Sequence, residues 1–219
     1  MKSTMETVLR SLLRIGVLNS CCLLLLGILL LFMSGCSSTF PTLERIKPLP
    51  AEPVCRVAVL PFLDESDYPL ANTIAYKVFI AELNSLGNYM VTQEGDVQKL
   101  YHQLRIPFGE PPSQEQFQIL ANRLNVQLMF IGKVIEMQEN RGVNGSGNPV
   151  LAMRVDILDG HTGDILWSVY NHRQGIDYQK TMHYGIINTI SGLCQQVSIE
   201  IINLTFKQGL TQCDVSPQF

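Results

Sequence analysis

The stretch VLAMRVDILDGHTGDILWSVYNH, residues 150–172, decides the fold class of this chain. Along its first half, apolar residues alternate mostly with small or charged ones, which is the period-two pattern of a strand with one face in a core. The turn-forming residues DGHTG follow, and a second strand-like run begins after them. The stretch therefore predicts an antiparallel β-hairpin with arms at 150–158 and 164–172.

Strand and helix patterns alternate on the N-terminal side of this hairpin. Short apolar, β-branched runs predict strands at 55–62, 89–93 and 126–137. Apolar residues at helical spacing predict helices at 70–86, 96–104 and 113–124, and a longer helix after the hairpin at 181–206. Ser113 and Gln116 have the spacing of a capping box, which marks the start of the third helix.

The predicted element order is β-α-β-α-α-β-β-β-α. Strands and helices alternate first, and consecutive strands follow. This order predicts a single α/β domain in which a mixed β-sheet has helices packed on it, on both faces. With 219 residues, the chain is long enough for one such domain with its own core.

The N-terminal segment has the layout of a signal peptide. Lys2, Arg10 and Arg14 precede an apolar run, and the small residues Ser34 and Gly35 end it. The apolar run is about long enough to cross a membrane, so an uncleaved membrane anchor is the alternative. The small residues at its end favour cleavage after residue 35.

The motif MSGC at residues 33–36 resembles the lipobox of bacterial lipoproteins, with Met33 where that family usually has leucine. In that family the cysteine thiol receives a diacylglycerol, the preceding peptide is removed, and the new amino terminus is acylated. The resemblance implies that Cys36 is lipidated. Because Ser37 is not the aspartate that serves as a retention signal, it also implies an anchor in the inner leaflet of the outer membrane, facing the periplasm.

These features predict four segments: a signal peptide at 1–35, the lipidated cysteine with a proline-rich tether at 36–54, a periplasmic α/β domain at 55–207, and a C-terminal tail at 208–219. Without the first segment the net charge is near −5. That balance argues against nucleic acid as a partner, because phosphates require a basic face, and it is compatible with a cationic partner.

No pattern of catalytic or metal-binding residues stands out. Gly142, Gly145 and Gly147 lie between two predicted strands, whereas a dinucleotide-binding loop needs a helix after it. The histidines lack a second ligand at metal spacing. We therefore expect no catalytic residue, no metal and no cofactor beyond the covalent lipid, and we expect a protein that is not an enzyme.

Three cysteines remain in the predicted mature domain: Cys55, Cys194 and Cys213. Their spacing matches no zinc site. Either two are small buried side chains and the third is a tail thiol, or a disulfide joins Cys213 to one of the other two, which the periplasm permits.

The hairpin carries the candidate functional residues. Asp156, Asp159 and Asp164 cluster around its turn. The simpler interpretation is a solvated turn that uses aspartate for its geometry; the alternative is an acidic rim that is repeated around an oligomer. Trp167, the single tryptophan, is predicted to lie in the core or at an interface, or to face the membrane.

Several segments in order, including RVAVLPFLDES, YMVTQEGDVQKL and LNVQLMFIGKVIEM, resemble the group of periplasmic α/β domains that contains CsgG, the TolB amino-terminal domain and penicillin-binding-protein activators. The stretch from Val134 to Ser168 is similar to PelC-type lipoproteins of Pel exopolysaccharide systems. That resemblance implies a lipidated, non-enzymatic protomer in a periplasmic ring that passes a cationic polysaccharide towards an outer-membrane porin. It also implies that Asp156, Asp159 and Asp164 lie in the region that could face the lumen, which leaves open which of them do, and that Trp167 matches the family's strand tryptophan.

Two other roles stay open. The same fold could activate a cell-wall synthase or assist secretion as an interaction module. A fibre-secreting pore is disfavoured, because the connection at 138–149 is too short and too polar for barrel-forming hairpins. An enzyme whose site is assembled from distant residues is the second alternative, although no residues nominate one.

Overall fold

The computed structural model describes residues 41–50, 52–86, 89–107, 109–141, 147–182 and 184–207. Within these ranges the strands are β1 Thr42–Arg45, β2 Arg56–Asp64, β3 Met90–Val91, β4 Leu128–Arg141, β5 Gly147–Asp159 and β6 Ile165–Gln174. The α-helices are α1 Ala71–Ser85, α2 Glu94–Gln103, α3 Gln114–Leu124 and α4 Ile190–Lys207, and a single 3-10 turn spans Gly175–Tyr178.

These strands form one six-stranded sheet in the order β1-β6-β5-β4-β2-β3. The predicted hairpin is confirmed, because β5 and β6 pair antiparallel, and β4 pairs antiparallel with β5. Strand β2 runs parallel to β3 and β4, since helices form the crossovers between these strands. The fold is a single α/β domain on a mixed, open sheet, as the element order predicts.

The alternation of side chains along the strands builds a separate core on each face of the sheet. Val57 and Val59 of β2 belong to the larger core, which α1 and α4 cover. Their neighbours Ala58 and Leu60 belong to the smaller core, which α2 and α3 cover. Helices therefore pack on both faces, as expected.

The capping box at the start of α3 is confirmed in both directions. The backbone N–H of Gln116 donates to the Ser113 hydroxyl over 3.3 Å, and the backbone N–H of Ser113 donates to the Gln116 side-chain oxygen over 2.8 Å. Two of the amide groups that a helix start leaves without partners are thus satisfied.

The structure adds a strand that the sequence pattern did not predict. Thr42–Arg45, within the predicted tether, forms β1 and pairs antiparallel with Trp167 to Tyr170 of β6. Leu43 packs against the larger core, and the pairing gives partners to backbone groups that would otherwise form an open edge of β6. A four-residue segment is too short to show a strand periodicity, so its pairing with a distant strand is not predictable from its own sequence.

The last helix begins later than predicted, at Ile190 instead of residue 181. Gly185 has a φ of 91°, which a right-handed helix excludes, and Thr181 forms an isolated bridge with Tyr184. The Thr189 hydroxyl accepts a hydrogen bond from the N–H of Gly192 over 3.2 Å, as a helix-capping side chain does.

Among the described residues, no helix combines the length and hydropathy that crossing a bilayer requires. The predicted signal peptide, Cys36 and the segment 208–219 lie outside the described residues.

Candidate interaction surface

The helices leave part of one sheet face uncovered. The smaller core receives only Leu158 as a buried residue from the hairpin, with Ile165 packed partly against it. Beyond these residues the same face of β4, β5 and β6 has no helix over it in the described ranges. We call this area the open sheet face; the cross-strand register places on it Lys133, Glu136, Arg154, Asp156, Tyr170 and His172.

The charges of the open sheet face are paired within the protomer. Arg154 Nε lies 2.8 Å from Asp156 Oδ1 on the same strand, and Lys133 Nζ lies 2.8 Å from Oε1 of Glu65. His172 Nε2 lies 3.8 Å from Oε2 of Glu136. These side chains are between about one fifth and one half exposed, so each pair contributes little to stability. The face carries both signs of charge, which suits a protein partner better than a polyion.

A cleft of about 590 Å³ lies between the open sheet face and helix α3. Its apolar wall comes from Phe117 and from Ile131, Leu158 and Ile165, and its charged rim from Lys47, Lys133, Asp156 and Asp164. Lys47 Nζ lies 2.7 Å from Asp164 Oδ2. The hydrogen bond from Lys47, with help from the Thr162 side chain, lowers the pKa of the Asp164 carboxyl below its usual value.

The structure separates the three candidate aspartates by role. Asp159 accepts hydrogen bonds from the backbone N–H groups of His161 and Thr162, both over 2.8 Å, which is the turn-forming role. Asp156 and Asp164 line the same cleft, and each has a basic partner. Their exposure to the lumen of an oligomer stays a prediction.

Trp167 lies in the larger core and is 4% exposed. Arg45 of β1 places its guanidinium carbon 5.7 Å from the ring centroid, in cation–π geometry. The sequence analysis left three placements open for Trp167: the core, an interface or the membrane. In the protomer the side chain lies in the core. Contact of this ring with a membrane or a neighbouring copy stays a prediction.

The cysteines take different states. Cys55 is disulfide-bonded, and its partner lies outside the described residues. Cys194 is free and buried in α4, and burial raises the pKa of its thiol to about 12, so it is not a nucleophile at neutral pH. In the described part of the chain, no three His, Cys, Asp or Glu side chains are grouped as metal ligands.

Glu200 organises a polar cluster that the sequence pattern did not reveal. On the otherwise apolar face of α4, its carboxylate accepts hydrogen bonds from Asn171 Nδ2 over 2.8 Å, Arg173 Nε over 3.0 Å and Tyr178 Oη over 2.8 Å. The cluster ties β6 and the 3-10 turn to the last helix. Val197 and Ile201 are both buried, and an acidic residue between two apolar helix positions is the sequence feature that could have predicted this cluster.

Burial alone would raise the pKa of Glu200. The hydrogen bonds from Asn171, Tyr178 and Arg173 outweigh burial, so the pKa is lowered from the ordinary value of 4.5. The carboxylate is therefore ionised at neutral pH and accepts from three donors, whereas the buried Oδ1 of Asn171 has no hydrogen-bond partner in the described structure.

The arrangement defines a class of protein: one α/β domain on a mixed sheet with two helices on each face and part of one face open.

No protein-family model and no curated protein matches the chain. Solved structures do match it. A PelC dodecamer from Paraburkholderia phytofirmans shares 18% identity at a TM-score of 0.51, covering 74% of this chain and 96% of that one. Lipoprotein GNA1162 from Neisseria meningitidis shares 16% identity at a TM-score of 0.50, covering 70% of this chain and 99% of that one. The fold is PelC-like.

Proposed function

We propose that this protein is a lipid-anchored, non-enzymatic interaction module of the outer membrane that assembles into a periplasmic ring and assists the export of a Pel-type exopolysaccharide. The observation that carries the proposal is the PelC-like fold, which extends over nearly the whole length of a protomer taken from a dodecamer. The MSGC motif at 33–36 supports the lipid anchor.

The sheet topology supports a ring. One face of the sheet is covered by α1 and α4, and the other is partly open, so unlike surfaces lie on opposite sides of the sheet. Head-to-tail contact between unlike surfaces closes into a ring when the rotation between protomers divides a full turn. The open sheet face, with its paired charges of both signs, offers a surface that a neighbouring copy would cover.

Native mass spectrometry and light scattering test the ring. The full-length lipoprotein in detergent, and residues 37–219 without detergent, are compared. We expect a closed assembly of one defined size from the full-length protein. A strict monomer in both preparations would contradict the proposal.

A pair of charge reversals then locates the contact. Arg154→Glu alters the open sheet face, and Arg105→Glu makes the same charge change on an exposed residue away from it. We expect the first variant to lose assembly and the second to keep it, with circular dichroism confirming that both fold. An intact ring in both variants would move the contact to other surfaces.

The anchor is tested by metabolic labelling with palmitate. The wild-type chain should incorporate the label, and Cys36→Ala should not. Cys194→Ala is the control, since that cysteine is buried and free. Label that persists in Cys36→Ala would refute the lipid anchor without affecting the ring.

The polymer is tested with chitosan oligomers, a cationic probe, against neutral chitin oligomers. We expect the assembled protein to bind the first and not the second, and Asp159→Asn with Asp164→Asn, at the hairpin turn, to weaken binding. The control pair is Asp67→Asn with Glu115→Gln, which removes the same charge from exposed residues elsewhere. Equal binding of cationic and neutral oligomers would contradict the electrostatic mechanism.

A further inference from the structure

A second cleft among the described residues lies at the opposite end of the sheet from β1. It has a volume of about 820 Å³ and is built around edge strand β3. Its walls come from the start of β2, from helix α2 and from the end of helix α3. Three cations line it, Arg56, Lys99 and Arg123, together with a single acid, Asp96.

Net positive charge in this cleft is unusual for a chain with an acidic balance. Most described cations on other surfaces have a partner: Lys47, Lys77, Lys133, Arg154 and Arg173 all lie within 3.0 Å of a carboxylate oxygen. By contrast, within the described ranges the side chains of the three cations of the cleft make no ion pair and no hydrogen bond. Their like charges repel one another in the free protein, and an anionic occupant would relieve that repulsion.

The backbone of the cleft is that of an open sheet edge. The N–H groups of Met90 and Thr92 donate to the carbonyl oxygens of Cys55, just before β2, and of Val57 within it, both over 2.9 Å. Because strand residues alternate, the backbone groups of Val91 point the other way, and β3 is the last strand in the sheet order. An extended peptide can pair with such an edge.

An exposed apolar side chain and a hydroxyl without a hydrogen-bond partner lie beside the edge. Met90 is 48% exposed, a large apolar side chain left in solvent at the strand. The buried Thr92 hydroxyl has no hydrogen-bond partner in the described structure.

We propose that this cleft binds an acidic, extended polypeptide segment of a partner protein, which adds to β3 as a further strand and places its carboxylates against Arg56, Lys99 and Arg123. The edge supplies main-chain hydrogen bonds and the cations supply the preference for acidic sequence. This site is separate from the open sheet face, so it gives the protein a second partner whether or not it forms a ring.

Fluorescence anisotropy with the full-length protein in detergent tests the site. The probe is a labelled hexaglutamate peptide, compared with hexaglutamine, with inorganic pyrophosphate as competitor and with anionic vesicles of phosphatidylglycerol in a separate binding assay. We expect hexaglutamate to bind, with affinity that falls as salt rises, and hexaglutamine to bind at least about tenfold more weakly.

A matched pair of triple variants identifies the cleft. Arg56→Gln, Lys99→Gln and Arg123→Gln together should weaken hexaglutamate binding by at least about tenfold. The control removes the same charge from three exposed cations outside the cleft: Arg105→Gln, Lys180→Gln and Lys207→Gln. It should change binding by less than about twofold.

Other outcomes would overturn the proposal. Equal losses in the two triple variants would mean a nonspecific effect of net charge. Full displacement by pyrophosphate at equimolar concentration would assign the site to small phosphates, and preferential binding of vesicles would assign it to a membrane. Loss of self-association in the cleft variant without any hexaglutamate binding would assign it to a second copy of the chain. None of these results bears on palmitate labelling or on ring size in the wild type.

Discussion

Substituting Glu200 tests whether the polar cluster of α4 stabilises the fold. Glu200→Gln keeps the shape of the side chain and removes its charge. Glu200 and Arg173 are 18% and 17% exposed, so the pair is largely removed from water. Breaking a buried pair costs about 3–5 kcal/mol, and a single hydrogen bond to a charged group contributes about 1.5–3 kcal/mol. Because the amide retains some of the hydrogen bonds, we expect a loss of about 2–3 kcal/mol.

The assay is urea unfolding of residues 37–219, followed by circular dichroism, at neutral pH. Tyr178→Phe removes one donor to the charged Glu200 carboxylate and should cost about 1.5 kcal/mol. Because both residues belong to one network, the double variant should lose less than the sum. Glu82→Gln is the control: its carboxylate accepts a 2.8 Å hydrogen bond from Gln195 at an exposed position, and its loss should cost less than about 0.5 kcal/mol.

The pH dependence of this stability has a defined sign. The pKa of Glu200 is lower in the folded chain than its ordinary value of 4.5. Its stabilising contribution is therefore complete above that ordinary value and is lost as the pH falls through the lowered pKa. The stability difference between wild type and Glu200→Gln should shrink in acid. A Glu200→Gln loss no larger than that of Glu82→Gln, or a difference that grows in acid, would refute the reasoning.

Three further predictions concern packing, capping and the disulfide. Gly132→Ala would drive its new Cβ into the ring of Phe62, so thermal melting should fall by several degrees, and an unchanged melting temperature would contradict the close packing. Ser113→Ala removes the capping hydroxyl of α3 and should cost about 1 kcal/mol in urea unfolding, whereas Ser113→Asp should largely preserve stability; an unchanged stability of Ser113→Ala would show that the cap contributes nothing. Peptide mapping without reductant should recover Cys55 in a disulfide, and recovery of Cys55 as a free thiol would contradict this state.

The two candidate surfaces occupy different parts of one sheet. The open sheet face extends over β4, β5 and β6, and the basic cleft lies at β3, on the far side of β2. A protomer could thus contact its neighbours through one surface while an acidic partner segment occupies the other. Separate substitutions distinguish the ring contact from the binding of an acidic segment. Arg154→Glu tests the first, and the triple variant of Arg56, Lys99 and Arg123 tests the second.

Much of the fold follows from local patterns. The alternation at 150–158 predicted β5, because one face of that strand lies in the larger core and the other is partly open. Ser113 and Gln116 predicted the start of α3 because a capping box is complete within four residues. The start of α4 was placed nine residues too early, since the spacing of Ile186 and Ile187 fits a helix and nothing local reveals that Gly185 takes a positive φ.

The candidate site follows less well from the sequence, because its contacts join distant segments. Asp164 is recognisable as a turn residue, but its partner Lys47 lies 117 positions away in the segment predicted to be a tether. Trp167 is recognisable as a strand residue, but its burial depends on the larger core and on its position beside β1. The basic cleft is invisible in the sequence, since Arg56, Lys99 and Arg123 come from three separate elements.

The sequence by itself determined the element order from β2 onwards, the mixed α/β class and the expectation of a lipidated Cys36. Periodicity, turn chemistry and a four-residue motif are local properties of the chain. Only the tertiary structure decided which charges neutralise one another and which stay exposed together. Charges interact over a few ångströms of space and not along the chain. Three features therefore exist only once the sheet has assembled: the pairing of Asp164 with Lys47, the network at Glu200 and the positive cleft at β3.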